Sequence, residues 1–149
     1  GIWRPRGGVH ARGVTEDRAI RDEGLPFLKG APLAPDELER FFRPEISPED
    51  GSLYGHCARA LDVGLAVGEH GLPLMGTGDW NDGMNRIGEH GKGESVWLGW
   101  FLHTALWEFI SIAEQRGETE RAERWRSSVA GLKKARESAG WDGNWYRRA

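Results

Sequence analysis

The sequence predicts an all-α protein in which long helices are joined by long irregular loops. Apolar residues recur at helical spacing over about residues 53–67, 95–116 and 119–138. Serine or glycine stands at several of the helix ends, where each stabilises a helix terminus. Glycine and proline are concentrated between these segments, which is typical of loops.

Composition and charge indicate one globular domain and exclude several functional classes. The chain has 149 residues, 38% of them hydrophobic and 29% charged, which suits a single modest core. A net charge of −3 offers no electrostatic footprint for nucleic acid, so no nucleic-acid partner is expected. Residues 1–14 are predicted to be an irregular lead-in, and residues 15–149 the domain itself. The single Cys57 cannot form an internal disulfide, which fits a cytoplasmic location.

The chain before the first long helix is predicted to be mostly irregular. A short helix is expected within residues 15–23, ended by Gly24, and one or two helical turns within residues 36–42. Prolines and glycines predict loops over residues 25–33 and again around residues 44–51.

The first long helix is predicted from about Leu53 to Val67, with Ser52 as its N-cap. The second, from near Ser95 to near Arg116, is apolar almost all round and is therefore expected to be packed on several sides. The third, from about Thr119 to Ser138, has a single apolar stripe.

The very short connection between the second and third helices predicts an antiparallel helical hairpin. A buried helix paired with an amphipathic one is typical of a double-layered helical toroid. The sequence has eight tryptophans, most of which are expected in the core.

A glycine-rich polar loop over residues 76–85 is the strongest candidate site. It combines two carboxylates, two amides and an indole, namely Asp79, Asp82, Asn81, Asn85 and Trp80. Neighbouring carboxylates can differ in pKa, and one kept protonated can act as a general acid. The flat indole and the amides suit a sugar ring and its glycosidic oxygen. A structural turn with carboxylates capping backbone N–H groups is an equally weighted alternative.

Metal binding at this loop is not expected. The calcium loop of the EF-hand needs oxygen ligands at alternating positions and a glutamate at the twelfth. Asn81 and Asp82 are adjacent, and the twelfth position counted from Asp79 is His90. No cofactor is expected either.

Three ordered segments resemble motifs of glycoside hydrolase family 94. They are residues 71–85 (GLPLMGTGDWNDGMN), 93–101 (GESVWLGWF) and 141–149 (WDGNWYRRA). The family contains cellobiose and chitobiose phosphorylases and the phosphorylase-like region of cyclic β-1,2-glucan synthases. The residues of the three motifs most resemble those of the cyclic glucan synthase branch. The resemblance implies that the chain is part of an (α/α)6 barrel.

The resemblance also implies the chemistry, an inverting phosphorolysis of a β-glucoside. Asp82 matches the general acid of the family, and Trp80 matches a sugar-contacting position. Asp79, Asn81 and Asn85 are weaker candidates for substrate binding. Glu94 can bind a sugar hydroxyl or serve as a carboxylate at the helix entry, where the helix dipole favours negative charge. Inorganic phosphate would be the co-substrate and a β-glucan or oligosaccharide the substrate.

The family's catalytic region is far longer than this chain. The sequence is therefore expected to be part of a larger enzyme associated with the inner membrane, and to be inactive alone. A homo-oligomer is a further expectation. The alternative hypothesis is a sugar-binding or scaffolding helical module without turnover.

Overall fold

A computed structural model describes residues 5, 7, 19–32, 34, 37, 40–76, 84 and 86–149 of the chain. After a short 3₁₀ helix, Ala19–Asp22, two strands and three helices follow in order. They are β1 (Gly24–Lys29), β2 (Glu45–Ser52), α1 (Leu53–Val63), α2 (Val96–Gln115) and α3 (Thr119–Ser138). The predicted division at residue 14 lies outside the described residues.

An antiparallel two-stranded ribbon corrects the all-α prediction and replaces two predicted loops. β1 pairs with β2 from Gly24 opposite Ser52 to Lys29 opposite Glu45, with an irregularity beside Phe27. Both strands are edges, so Pro26 and Pro48 are tolerated although they signal loops in the sequence. The predicted turns at residues 36–42 are not helical at the described residues Glu37 and 40–42, and the others lie outside the described residues.

Contacts with α1 explain why the ribbon forms against its local loop signals. The Phe27 ring stacks on His56 with centroids 3.8 Å apart, and the Arg59 guanidinium lies 4.2 Å from the centre of the Phe27 ring. The His56 Nε2 atom is 2.9 Å from the carbonyl oxygen of Leu25. These contacts join residues about thirty positions apart, so local sequence patterns do not report them.

The first helix begins as predicted but ends earlier. The Ser52 hydroxyl accepts a hydrogen bond from the Gly55 amide at 3.1 Å, which confirms Ser52 as the N-cap. The predicted end at Val67 is wrong, because α1 ends at Val63 with Gly64 as its C-cap. Val67 instead pairs with Pro73 in an antiparallel bridge, which a continuing helix would prevent.

The predicted helical hairpin is confirmed. α2 and α3 are joined by three residues, and Gly117 has the positive φ of 75° that favours glycine after a helix end. The Arg136 Nη1 atom lies 3.4 Å from the Gly99 carbonyl oxygen near one end, and Arg126 pairs with Glu114 near the other. The two helices therefore run antiparallel.

The core lies between α1, α2 and α3, with Trp125 completely buried in it. The Trp125 indole N–H donates to Asp62 Oδ1 at 2.9 Å, which joins α3 to α1. The expectation that most tryptophans are core residues is wrong for the described ones. Four of those six are exposed, namely Trp100, Trp107, Trp141 and Trp145.

α2 is long and apolar enough to cross a membrane by length and composition alone. Half of the apolar window of this helix is buried against the rest of the chain. The core helix of a globular protein has the same character, so this composition follows from packing in the hairpin.

Candidate functional site

The polar loop predicted to carry the chemistry lies largely outside the described residues. Residues 77–83 and 85 are among those not described, and they include Asp79, Trp80, Asn81, Asp82 and Asn85. Their roles remain predictions. The structure does describe both ends of this acid loop, defined as residues 77–87, and the surroundings of Glu94.

A short antiparallel pairing joins the two ends of the acid loop. Leu74 pairs with Glu94, the Met75 amide donates to the Gly93 carbonyl at 2.8 Å, and the Ser95 amide donates to the Pro73 carbonyl at 2.9 Å. The chain that enters the loop therefore lies beside the chain that leaves it. Because Ser95 is also the N-cap of α2, this pairing places the two ends of the acid loop at the N-terminal end of that helix.

Two glycines allow the backbone to cross itself at this point. A Cβ added to Gly88 would lie 1.9 Å from the Gly76 carbonyl oxygen, and one added to Gly93 would lie 2.2 Å from the Ile87 carbonyl oxygen. Neither contact leaves room for any side chain. Gly76 itself has a φ of 66°, in the left-handed region. The base of the acid loop is thus held by backbone contacts that only glycine permits.

Glu94 is nearly buried and binds His70, which lies in the turn before the acid loop. Its Oε1 atom accepts a hydrogen bond from the His70 amide at 2.9 Å, and its Oε2 atom lies 3.0 Å from His70 Nδ1. The side chain is 9% exposed. A Cβ at Gly68 would lie 2.0 Å from Glu94 Oε1, so this glycine makes room for the carboxylate. Sugar binding by Glu94 remains a prediction.

Ser95 connects the acid loop, α2 and the C-terminal segment. Its hydroxyl accepts from the Leu98 amide at 3.1 Å and from Arg148 Nη1 at 2.9 Å. The Val96 amide donates to the Arg148 carbonyl at 3.2 Å. The C-terminal segment, residues 140–149, therefore lies against the start of α2.

Sequence reasoning did not name any residue of the C-terminal segment as a site residue. Here Tyr146 contacts both Trp100 and Trp141 edge-on, with centroids 5.3 and 5.0 Å apart. Trp141 pairs with Tyr146 in an isolated bridge. The available signal was the close spacing of three aromatic residues among glycine and polar residues.

The pKa values of three titratable groups near these aromatic rings are lowered, each for a different main reason or combination of reasons. Burial lowers the pKa of Arg136, whose guanidinium lies 3.8 Å from the centre of the Trp100 ring. Hydrogen bonds from the Trp145 and Asn144 amides lower the pKa of Asp142 and keep it ionised. Burial, followed by the charge of Arg136, lowers the pKa of His103, so this histidine is neutral at pH 7.

A cavity of about 550 Å³ lies at the opposite end of the hairpin, lined by residues that include Gly117, Arg121 and Arg124. Its two arginines are already paired, since Arg121 binds Glu118 and lies 3.3 Å from Asp62, and Arg124 lies 3.7 Å from Asp62. The described ends of the acid loop lie at the other end of α2, so we do not assign the chemistry to this cavity despite its size.

The family model described as "Glycosyl hydrolase 94 superfamily, catalytic domain" matches residues 36–149. The chain therefore belongs to the glycosyl hydrolase 94 family, as the three motifs predicted.

Similar proteins of known name agree with this assignment. The chain is 45% identical over 148 residues to the cyclic beta-(1,2)-glucan synthase NdvB of Rhizobium meliloti (strain 1021), covering 99% of this chain and 5% of that protein. It is 41% identical over 101 residues to a 3-O-beta-D-glucopyranosyl-beta-D-glucuronide phosphorylase of Paenibacillus borealis, covering 67% of this chain and 13% of that enzyme. A solabiose phosphorylase of the same organism is 38% identical over 108 residues, covering 71% of this chain and 14% of that enzyme. The chain thus spans a small part of each relative.

Proposed function

We propose that this chain is the acid-bearing part of a catalytic domain that transfers glycosyl groups of β-glucans by inverting phosphorolysis or glycosyl transfer. One observation supports this most directly. The acid loop leaves and rejoins the fold through a glycine crossing at the N-terminal end of a buried helix. Such a base fixes both ends of the loop whose sequence contains Asp82, which is consistent with the positioning that a catalytic acid requires.

In the proposed reaction Asp82 is the general acid. Its carboxyl proton passes to the glycosidic oxygen as the bond to the anomeric carbon breaks, and the released sugar keeps that proton. A phosphate oxygen forms the new bond from the opposite face, so a β-glucoside yields an α-glucosyl phosphate. Phosphate is already an anion, so the second carboxylate that inverting hydrolases use to activate water is not required.

The other loop residues have supporting roles in this proposal. Trp80 stacks on the sugar beside the acid, while Asp79, Asn81 and Asn85 bind hydroxyls or hold the loop. Glu94 stabilises the base of the loop by its hydrogen bonds with His70, in addition to the sugar contact predicted from the sequence.

The remainder of a longer enzyme completes the site. We infer that the hairpin and α1 belong to an (α/α)6 barrel whose other parts hold the donor sugar and phosphate. The isolated chain is then inactive, because aligning the reactants can contribute roughly 7–11 kcal/mol of barrier lowering that an acid alone lacks. A cytoplasmic location, within an enzyme associated with the inner membrane, fits the cyclic glucan synthase resemblance.

Glucosyl phosphate formation from β-1,2-gluco-oligosaccharides and cellobiose tests the proposal in the longer enzyme. We expect phosphate-dependent release of α-glucose 1-phosphate. Asp82→Asn should reduce the rate by about two to four orders of magnitude while sugar binding survives. Asp79→Asn is the matched control and should reduce the rate of glucosyl phosphate formation less than Asp82→Asn does. Loss of turnover with Asp79→Asn but not with Asp82→Asn would refute the assignment, and no turnover in any form would favour the scaffolding alternative.

A further inference from the structure

Three exposed aromatic side chains in the C-terminal segment lie at the same end of the hairpin as the acid loop. α2 starts directly after the loop, and α3 runs back antiparallel to it, so the residues that follow Ser138 return to this end. The bond from Arg148 to Ser95, 2.9 Å long, confirms this placement. We name Trp141, Trp145 and Tyr146 the aromatic platform.

The platform is unusually exposed for such large apolar rings. Trp145 is 75% exposed, Tyr146 46% and Trp141 40%, and the neighbouring Trp100 is 44% exposed. Clustered exposed aromatic rings of this kind mark binding sites more often than isolated ones do. Trp107 is similarly exposed, at 67%, but it lies eleven residues along α2 from Val96 and away from the platform.

The platform is also held in a defined shape. The Asp142 carboxylate accepts from the Asn144 and Trp145 amides at 2.9 and 2.8 Å, which closes a tight turn. The Asp142 amide donates to the Trp145 carbonyl, and the Arg147 amide donates to the Gly140 carbonyl at 2.8 Å. Tyr146 is braced by its edge contacts with two indoles. Rings fixed before binding lose little conformational entropy when a ligand stacks on them.

The polar groups beside the rings define the chemistry of the ligand. Asn144 offers an amide, and Asp142 and Arg147 carry opposite charges, with the Arg147 charge acting on Asp142. The Arg136 guanidinium lies over the Trp100 ring and Arg148 is bonded to Ser95, so these further charges are engaged within the chain. Charged groups that are already engaged favour a neutral ligand over an anion or a cation. A neutral molecule with flat apolar faces and many hydroxyl groups fits this combination of aromatic rings, amide and ions. A pyranose chain has that chemistry.

We propose that the aromatic platform is a binding subsite for a neutral β-linked glucan chain that extends from the acid loop. The inference rests on the proposed function, because it takes the reacting end of the same chain to lie at Asp82. The platform would hold sugar units away from the scissile bond. It therefore acts on long substrates and is not needed for disaccharides.

Binding of a β-1,2-gluco-oligosaccharide of about six units to the full chain, measured by calorimetry, tests this directly. Trp145→Ala should weaken binding about five- to tenfold, as truncation of an aromatic anchor does. Trp145→Tyr should restore most of the affinity. Trp107→Ala is the matched control, with the same residue type and a similar exposure, and should leave binding unchanged. Unaltered binding with Trp145→Ala, equal losses with both alanine variants, or no glucan binding by the parent chain would each overturn the proposal.

Kinetics of the longer enzyme separate this proposal from the assignment of the acid. There, Trp145→Ala should raise KM for the long oligosaccharide and leave kcat and cellobiose turnover unchanged. Asp82→Asn should have the reverse effect, with turnover lost and oligosaccharide binding retained. If Trp145→Ala lowers turnover of cellobiose and long substrates alike, the residue has a general structural role and the subsite is refuted, while the acid assignment stands.

Discussion

At the scale of single residues, backbone contact rather than side-chain contact determines where the acid loop can lie. Gly88 and Gly93 bring stretches of backbone together where no Cβ fits, and Gly76 has a φ of 66°, in the left-handed region. Beside them, the Ser95 hydroxyl accepts a hydrogen bond from the Leu98 amide in the first turn of α2 and another from Arg148 in the C-terminal segment. These few residues couple the candidate catalytic loop to the helical hairpin.

Gly88→Ala should therefore disturb the loop base. The added Cβ would overlap the Gly76 carbonyl oxygen at 1.9 Å, and a displacement of about 1 Å at a catalytic group can cost roughly a hundredfold in rate. We expect such a loss in the longer enzyme, measured as glucosyl phosphate formation. Gly131→Ala is the control, because its Cβ meets nothing within 4 Å inside α3 and should stabilise the helix by about 0.5–1 kcal/mol. Full activity of Gly88→Ala would show that the crossing is not needed.

The Asp142 turn should open in acid. Backbone N–H groups lower the pKa of Asp142 below its ordinary value of 3.8, so the turn is stabilised above that pH. The stabilisation is lost as the pH falls through the lower folded-state pKa. We expect the near-ultraviolet circular dichroism of the platform tryptophans to change in that range. Asp142→Ala should remove the transition and give the acid spectrum at neutral pH, and a transition that persists in this variant would assign it to other carboxyls.

At the scale of elements, α2 is the buried centre and α1 and α3 cover part of it. Leu102, Ala105 and Leu106 are at most 1% exposed, whereas Trp100 and Trp107 on the same helix remain exposed. α3 contributes one buried stripe, as its pattern predicted, with Trp125 at its centre. The hydrogen bond from Trp125 to Asp62 joins the hairpin to α1 across 63 residues of sequence.

Trp125→Ala should destabilise the fold strongly. It removes a completely buried indole and leaves a large cavity between α1 and α3, at a cost of about 3–5 kcal/mol. Urea unfolding followed by circular dichroism measures this. Trp107→Ala changes a largely exposed indole and should stay within about 0.5 kcal/mol of the parent. Equal effects of the two substitutions would mean that the core does not centre on Trp125.

At the scale of the whole molecule, the described chain leaves apolar surface uncovered. Besides the platform, the exposed large apolar residues of the helices and the segments between them include Val63, Val67, Ile87, Trp100 and Trp107. A continuous barrel would cover such surface with further helices, which fits a chain that spans a small part of its relatives.

The isolated chain should consequently self-associate. Exposed apolar surface of this kind promotes association, and α2 is apolar on faces that its hairpin partner does not cover. Light scattering at micromolar concentrations should report species larger than the 16.6 kDa monomer. Trp100→Glu combined with Trp107→Glu should reduce the association. A clean monomer across the micromolar range would contradict this expectation.

The sequence alone determined the features that depend on neighbours along the chain. The N-cap at Ser52, the start of α2 near Ser95 and the stripe of α3 were all predictable, because capping and helical spacing act within a few residues. The family was likewise predictable, since its motifs are short and continuous. Asp82 and its loop neighbours remain predictions from those motifs.

Only the tertiary structure decided the features that join distant residues. The ribbon forms because Phe27 stacks on His56 and β1 pairs with β2, which outweighs the local signals of two prolines. α1 ends early because Val67 pairs with Pro73 across a turn. Glu94 binds His70 because the chain that leaves the acid loop pairs with the chain that enters it. The aromatic platform reaches this end of the hairpin because α3 returns antiparallel to α2. Such pairings depend on the folded path of the chain, which no local pattern of residues encodes.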